Sequence, residues 1–411
     1  MDVVVTLEHH FDRTPDGAVW TQAQFTYPHF ERYLSAFSGV RVIARVREVS
    51  EAEPDWQRAD GNGVCFAAVP DYLGPMQYFC NLRRVQRAAR RGVGPSDAVI
   101  MYNGQIGRTI QPVLKAQRRP FGLYIISEPR DMFSPGAVKH PLRPFFRWYF
   151  PRGLRRQASE AAALAYVSRL KLRERYPPVE GGFSTYFCLG EMPDEAYLTE
   201  PRPLQPAKRS WTLVYVGTLN QLYKAPDVLI DATAACVKQG LDLKLVLVGG
   251  GQYLSDMKAR AEAQGIGRRT RFCGMLPAGD AVREQMDNAD VLVLPSRQET
   301  LGQVVVEAMA RGLPCIGSTT GGIAEMLPAE YLVPPNDADA LARKIREVLS
   351  DPQRMAGASI RNLKKAEEYR ESEVNRRRVA FYTRVREVTA AWIKTRRNSV
   401  SVRDNGSMHL A

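Results

Sequence analysis

The chain has 411 residues, a formal net charge of +13 and a globular share of apolar residues, 45%. That length exceeds one ordinary core and predicts two domains. The six cysteines (Cys65, Cys80, Cys188, Cys236, Cys273, Cys315) form no CxxC pair, which argues against a structural zinc site and for a reduced, cytoplasmic setting.

Val3–Leu7 is the first predicted strand. It follows an acidic residue and is too short for a signal-peptide core. No apolar run approaches the ~20 residues that span a bilayer. His9 and His10 come next, placed either to face a cleft or to serve as ordinary buried or surface histidines. The loop expected over Phe11–Trp20 holds one glycine, Gly17. Val40–Ala44, Gly63–Val69, Asp97–Tyr102 and Phe121–Ser127 are further strands, with helices over Tyr27–Phe37 and Asn81–Arg91. Such alternation predicts a parallel sheet wound on both faces.

From Lys139 to Arg175 the chain carries ten cations against Glu160 and Glu174, interleaved with Phe145, Phe146, Trp148, Tyr149 and Phe150. One reading is a solvated basic helix with a packed apolar face. The other is docking on anionic lipid, where each basic residue adds about 1 kcal/mol. No nucleic-acid module accompanies the charge, so a nucleic-acid partner is not expected.

Thr199–Pro206 is proline-rich and reads as a linker. Beyond it the alternation restarts, with strands over Thr212–Val216, Lys244–Val248, Thr270–Phe272, Asp290–Leu294 and Pro314–Gly317. Two doubly wound halves leave a cleft at the carboxyl ends of their strands, where such sheets bind ligands. The expected organisation is a first domain over 1–198, a linker over 199–210 and a second domain over 211–363. Helices over 364–395 return to the first domain, and a tail without periodicity, expected to be disordered, covers 396–411.

The densest chemistry lies in Ser296–Gly312. Glu299 stands in the loop after an apolar strand, and Glu307 about a turn into the following helix. The amides of Gly302 and Gln303 open that helix, and free amides at a helix start attract phosphate. Carboxylates hold sugar hydroxyls through two acceptor oxygens. An anion site flanked by two polyol readers suits a nucleotide-sugar. Gly249-Gly250-Gly251 ends another strand and allows backbone to approach a ligand closely. Asp337-Ala338-Asp339 spells a DxD, but it precedes a helical run, so N-capping explains it better than a metal.

These segments together resemble the retaining family 4 glycosyltransferases of the GT-B fold, whose signature is a Glu, seven residues, then a Glu. Val214–Gly217 through Lys224, Leu245–Gly251, Phe272–Gly274, Pro295-Ser296, Glu307–Pro314 and Gly321–Glu325 follow the family's order. The match is specific over about residues 211–350 and weak before it. The resemblance implies an α/β architecture of two Rossmann-like domains facing a cleft. It implies a nucleoside diphosphate sugar as substrate, a glycan or lipid-linked acceptor, and no cofactor or metal.

By that resemblance Glu307 holds the donor ribose, Glu299 contacts the transferred sugar and Lys224 the diphosphate. Gly217, Thr218, Gly250, Met275, Leu276, Leu301, Gly302, Gln303 and, from the first domain, Gly17 complete the expected donor contacts. Three positions depart from the family. Thr218 stands where many members have Arg, with Arg271 or a first-domain arginine as substitutes. Ala225 stands where many have Gly after the lysine. The loop after Gly122–Ile126 lacks the usual His, leaving Glu128 or Asp131 to take its place; Glu128 joins Lys224 and Glu299 as the expected catalytic set. The implied setting is polysaccharide or cell-envelope assembly, in the cytoplasm and peripheral at the inner membrane face. Rival readings are a soluble natural-product glycosyltransferase, a nucleotide-sugar epimerase on the same fold, and a non-catalytic binding protein.

Overall fold

The computed structural model describes residues 1–22, 25–133, 140–190, 192–203 and 208–406. Among these residues the first sheet contains β1 (Val3–Arg13), β2 (Val19–Thr21), β3 (Val40–Glu48), β4 (Gln57–Arg58), β5 (Val64–Pro70), β6 (Ala98–Tyr102), β7 (Gly122–Ile125), β8 (Ala163–Tyr166) and β9 (Phe183–Tyr186). Its parallel body runs β5-β3-β1-β6-β7-β8-β9. Val3–Val5, Ala98–Met101, Leu123–Ile125 and Ala163–Tyr166 are fully buried, as strands covered on both faces must be. The strand β1 is longer than predicted. It continues to Arg13 and turns back antiparallel into β2, which pairs with β4.

The second sheet contains β10 (Ser210–Val216), β11 (Asp242–Val248), β12 (Thr270–Gly274), β13 (Val291–Leu294), β14 (Cys315–Ser318) and β15 (Leu332–Val333). All its pairings are parallel, in the order β12-β11-β10-β13-β14-β15. Numbered from its own first strand the order is 3-2-1-4-5-6, the dinucleotide-fold arrangement whose reversal point opens a ligand crevice.

The linker is anchored at its start. Leu198 N donates to Ala310 O, and Arg202 donates to the carbonyls of Ala289, Met286 and Arg311. Residues 204–207 of the expected linker lie outside the described residues, as does Lys139 at the head of the basic run. The last helix, Glu371–Gly406, packs on the first domain. Tyr382 stacks on Tyr33 with ring centroids 4.3 Å apart, and Trp392 Nε1 donates to Gln117 O. At Gly122 a Cβ would lie 2.6 Å from Val385, so this helix crosses β7 where there is no side chain. The helix passes residue 395, so the tail set off at 396 begins within it; residues 407–411 lie outside the described residues.

Candidate active site

The carboxyl ends of β10, β11, β12, β13 and β14 gather the predicted donor residues. Gly217 and Thr218 follow β10, and Lys224 ends the short turn Leu222–Lys224. The Lys224 stem lies across Gly217, where a Cβ would come 2.5 Å from its Cδ. Thr218 closes a local turn, its Oγ1 accepting from Asn220 N. Leu219 N donates to Gly250 O, which joins this loop to the one after β11. Met275, after β12, is strongly exposed beside Gly250, and Leu276 is partly buried. The departure at Ala225 is a backbone matter. Its φ of 55° is left-handed, which glycine adopts at less cost.

The Glu299 loop is fixed from two sides. Arg297 donates to both oxygens of Asp227 at 2.9 and 2.6 Å and to Leu222 O, tying this loop to the Lys224 turn. Gly321 passes beneath it, where a Cβ would lie 1.3 Å from Glu299 O. Glu299 then meets the Lys224 ammonium at 3.5 Å, both side chains being mostly buried. The Glu299 oxygen nearest Lys224 takes no hydrogen bond. A buried carboxylate oxygen so placed has capacity left for a hydroxyl donor.

The helix Gln303–Ala310 begins at Gly302, whose φ is 86°. Leu301 is buried under this turn, and the Gln303 side-chain oxygen is buried without a partner. Glu307 lies one turn in, partly buried among Val304, Val305, Val306 and Ala308. Burial pushes its carboxyl up to about 7, against the opposing pull of Lys224, Arg283 and a hydrogen bond from Gln303. Arg283 was not foreseen; its helix, Asp280–Asp287, precedes β13. Arg271, offered as a substitute cation, is exposed and bonds Gln285 instead.

Facing Glu299 across the cleft are Glu128, Asp131, Ser168, Lys171 and Arg175 of the first domain. Glu128 is nearly fully buried and heavily engaged. It accepts from Arg130 N at 2.9 Å, Arg175 Nη1 at 2.8 Å and Tyr176 Oη at 2.6 Å. With those bonds Glu128, expected in the catalytic set, caps the helix Pro129–Met132 and holds Arg175. The domains are also clasped directly. Glu325 accepts from the amides of Arg169, Leu170 and Lys171 at 2.7–2.9 Å, and Lys171 Nζ donates to Thr319 O. Lys171 and Arg175 sit in the basic run, so composition assigned them to a surface. The apolar Ala161–Val167 between the charges was the available sign of a strand turning into the cleft.

Gly17, Asp337 and His9 have other surroundings. Gly17 sits at the exposed β1–β2 turn with φ 86° and nothing within 4 Å of where its Cβ would be, the place of a hairpin glycine. Asp337 caps the helix Ala338–Leu349, accepting from Ala340 N at 2.7 Å, as the DxD reading expected. His9 bonds Thr21 Oγ1 and packs on Phe11 and Phe25, and burial first, then His10 and Arg45, lower it to about 4.

Residues 198–367 match the family described as Glycosyl transferases group 1. The match covers the second domain and the segment that follows it. It is 22% identical over 339 residues to Protein CapJ of Staphylococcus aureus, spanning 80% of this chain and 82% of CapJ. It is 30% identical over 222 residues to a GDP-mannose-dependent monoacylated alpha-(1-6)-phosphatidylinositol monomannoside mannosyltransferase of Corynebacterium glutamicum, spanning 50% of this chain and 57% of that protein. Sucrose-phosphate synthase from Thermosynechococcus elongatus superposes with a TM-score of 0.68 at 19% identity, over 95% of this chain and 100% of that one. The fold is GT-B.

Proposed function

We propose that this glycosyltransferase moves a sugar from a nucleoside diphosphate donor to a glycan or lipid-linked acceptor with anomeric configuration retained. The observation that carries the reading is the grouping of Lys224, Glu299, Glu307 and the Gly302 helix start at the crevice of a 3-2-1-4-5-6 sheet. The GDP-mannose-dependent relative supports a nucleotide-sugar donor, and the phosphatidylinositol monomannoside in its name supports a lipid-linked acceptor.

In this reading Glu307 accepts from the ribose hydroxyls and Glu299 from the transferred sugar. The bond from the anomeric carbon to the diphosphate oxygen breaks as charge grows on the diphosphate. Lys224 and the amides of Gln303 and Val304 meet that charge. The acceptor hydroxyl forms its bond on the same face, and its proton passes to the leaving phosphate oxygen. Glu128 acts as a positioning residue through Arg175. No divalent metal is required, and transfer persists in chelator. Peripheral contact with an anionic membrane at the cytoplasmic face brings the enzyme to its acceptor.

The test is acceptor-dependent release of nucleoside diphosphate by wild type and Lys224→Ala. We expect kcat to fall by roughly 10²–10³, the cost of removing one charge-stabilising group, with little change in nucleoside affinity. An unchanged kcat contradicts the role of Lys224, and release without any acceptor favours an epimerase or hydrolase.

A further inference from the structure

A second large cavity lies outside the donor crevice, in the first domain, at the carboxyl ends of β6 and β7 and beside the middle of β1. It measures about 720 Å³, within the ~300–1,000 Å³ range that holds a whole small ligand. Its lining is predominantly apolar and aromatic. Phe25 and Tyr102 wall it on the sheet side, and Phe146 and Phe150 of the helix Arg143–Glu160 on the other. The many hydroxyls of a free sugar chain would find few hydrogen-bond partners in such walls.

One cation in it has no anion. Arg108, on the helix Gln105–Ala116, lies over the rings of Tyr149 and Phe150 at 4.6 and 5.0 Å. Its Nη1 is buried without a hydrogen bond, and it forms no ion pair among the described residues. The cavity's other arginine is already used: Arg45 donates to Tyr72 O and Glu8 O. A partly buried guanidinium without an acid has donors left over, and its planar fork suits phosphate.

The mouth is apolar as well. Phe79, Met132, Phe145 and Tyr149 line the cavity and yet are exposed, Phe79 at 64%. Met76 and Trp148 extend the same exposed surface. Contiguous apolar surface running into an apolar hole marks a binding face. The segment after β7 has two sides: Ser127, Pro129 and Met132 line this cavity, and Glu128 and Asp131 line the cleft opposite Glu299.

We infer that the cavity holds the hydrocarbon chain of an amphiphilic acceptor whose phosphate sits on Arg108, with its sugar-accepting end leaving across residues 127–132 into the cleft. This rests on the glycosyltransferase reading for the word acceptor and on the cavity alone for the ligand chemistry. The test titrates the full chain by calorimetry, below micelle-forming concentrations, with farnesyl phosphate and dodecyl phosphate as isoprenoid and acyl-like probes. Inorganic phosphate is the control. At least one chain phosphate binds, inorganic phosphate does not, and the tighter of the two names the chain type. Arg108→Gln weakens that binding by about tenfold, the loss of a charge-assisted pair. The exposed mouth variant Met132→Asp/Phe145→Asp weakens it too, and circular dichroism melting shows both variants folded. Chain phosphates binding no better than inorganic phosphate, or equally well to wild type and Arg108→Gln, overturns the inference. A parallel titration with nucleoside diphosphates separates the two readings: no nucleotide binding there sinks the glycosyltransferase reading and leaves the chain-phosphate site standing.

Discussion

Glu307 is a carboxylate set among buried valines, with Lys224 and Arg283 near enough to oppose its neutralisation. Its folded carboxyl titrates at about 7, above the usual 4.5. A raised acid favours the protonated form in the folded state. Its stabilising share is therefore full below the unfolded value and is lost as pH rises through the folded one. Glu307→Gln removes that loss. The variant's Tm should match wild type near pH 4 and exceed it near pH 8. Nucleotide affinity should fall at the same time, because a charged acceptor's hydrogen bonds contribute at most ~1.5–3 kcal/mol each. Scanning and titration calorimetry read both effects; equal Tm values near pH 8, or unchanged affinity, contradict this account. The place of Glu307 one turn into the helix after Glu299 was legible from the sequence. Its raised titration was not, because that depends on which cations the fold brings near. Glu128 fails to read for the same reason, since the groups that occupy it, Arg175 and Tyr176, lie 47 and 48 residues along the chain.

The helix Gln303–Ala310 shows what an element contributes beyond its residues. Its start needs a left-handed residue at Gly302, where a Cβ would meet Ile323 at 3.1 Å and Met326 at 3.3 Å. Gly302→Ala incurs the left-handed backbone penalty of roughly 1–2 kcal/mol and crowds those two side chains. The amides at the helix start then shift, so nucleoside diphosphate affinity should fall more than nucleoside affinity. Equal losses for both ligands would show that the helix start takes no part in phosphate binding. Strands β10, β11, β13 and β14 were legible because each has an apolar stretch closed by Gly, Pro or Ser. Strand β8 was hidden inside a stretch dominated by arginine. Strand β9, Phe183–Tyr186, is only partly buried and carries Ser184 and Thr185, so it shows little apolar signal. The loop expected over Phe11–Trp20 became a hairpin because Asp12 pairs with Trp20 and Arg13 with Val19, a register no local motif announces.

At the scale of the whole molecule, the basic run splits into parts with different work. Ala163–Tyr166 is core, and Lys171 and Arg175 face the cleft. Arg169 and Arg173 are exposed, as is much of the helix Arg143–Glu160, with Arg147, Arg152, Arg155 and Arg156 beside Phe145, Trp148 and Tyr149. The helix Gly74–Arg91 adds a second such surface that composition over 139–175 missed. It has Met76 and Phe79 exposed near its start, Arg83, Arg84, Arg87, Arg90 and Arg91 exposed toward its end, and no acidic residue. Phe79 meets Phe145 and Tyr149 at one cavity mouth, so both helices present their aromatic residues on one side of the domain. No described helix is long and apolar enough to cross a membrane, which leaves surface contact as the mode open to these helices. Aromatic insertion at the headgroups and about 1 kcal/mol per arginine against anionic lipid add together. Wild type should co-sediment with vesicles rich in phosphatidylserine or phosphatidylglycerol. Binding should weaken from low to physiological salt as the screening length shortens toward about 8 Å. Changing Arg147, Arg152, Arg84 and Arg87 together to Gln should lower sedimentation while nucleotide affinity holds, because the donor residues lie in the other domain. Equal, negligible sedimentation of both proteins would make the two helices ordinary solvated surface and favour an acceptor that reaches the enzyme through water.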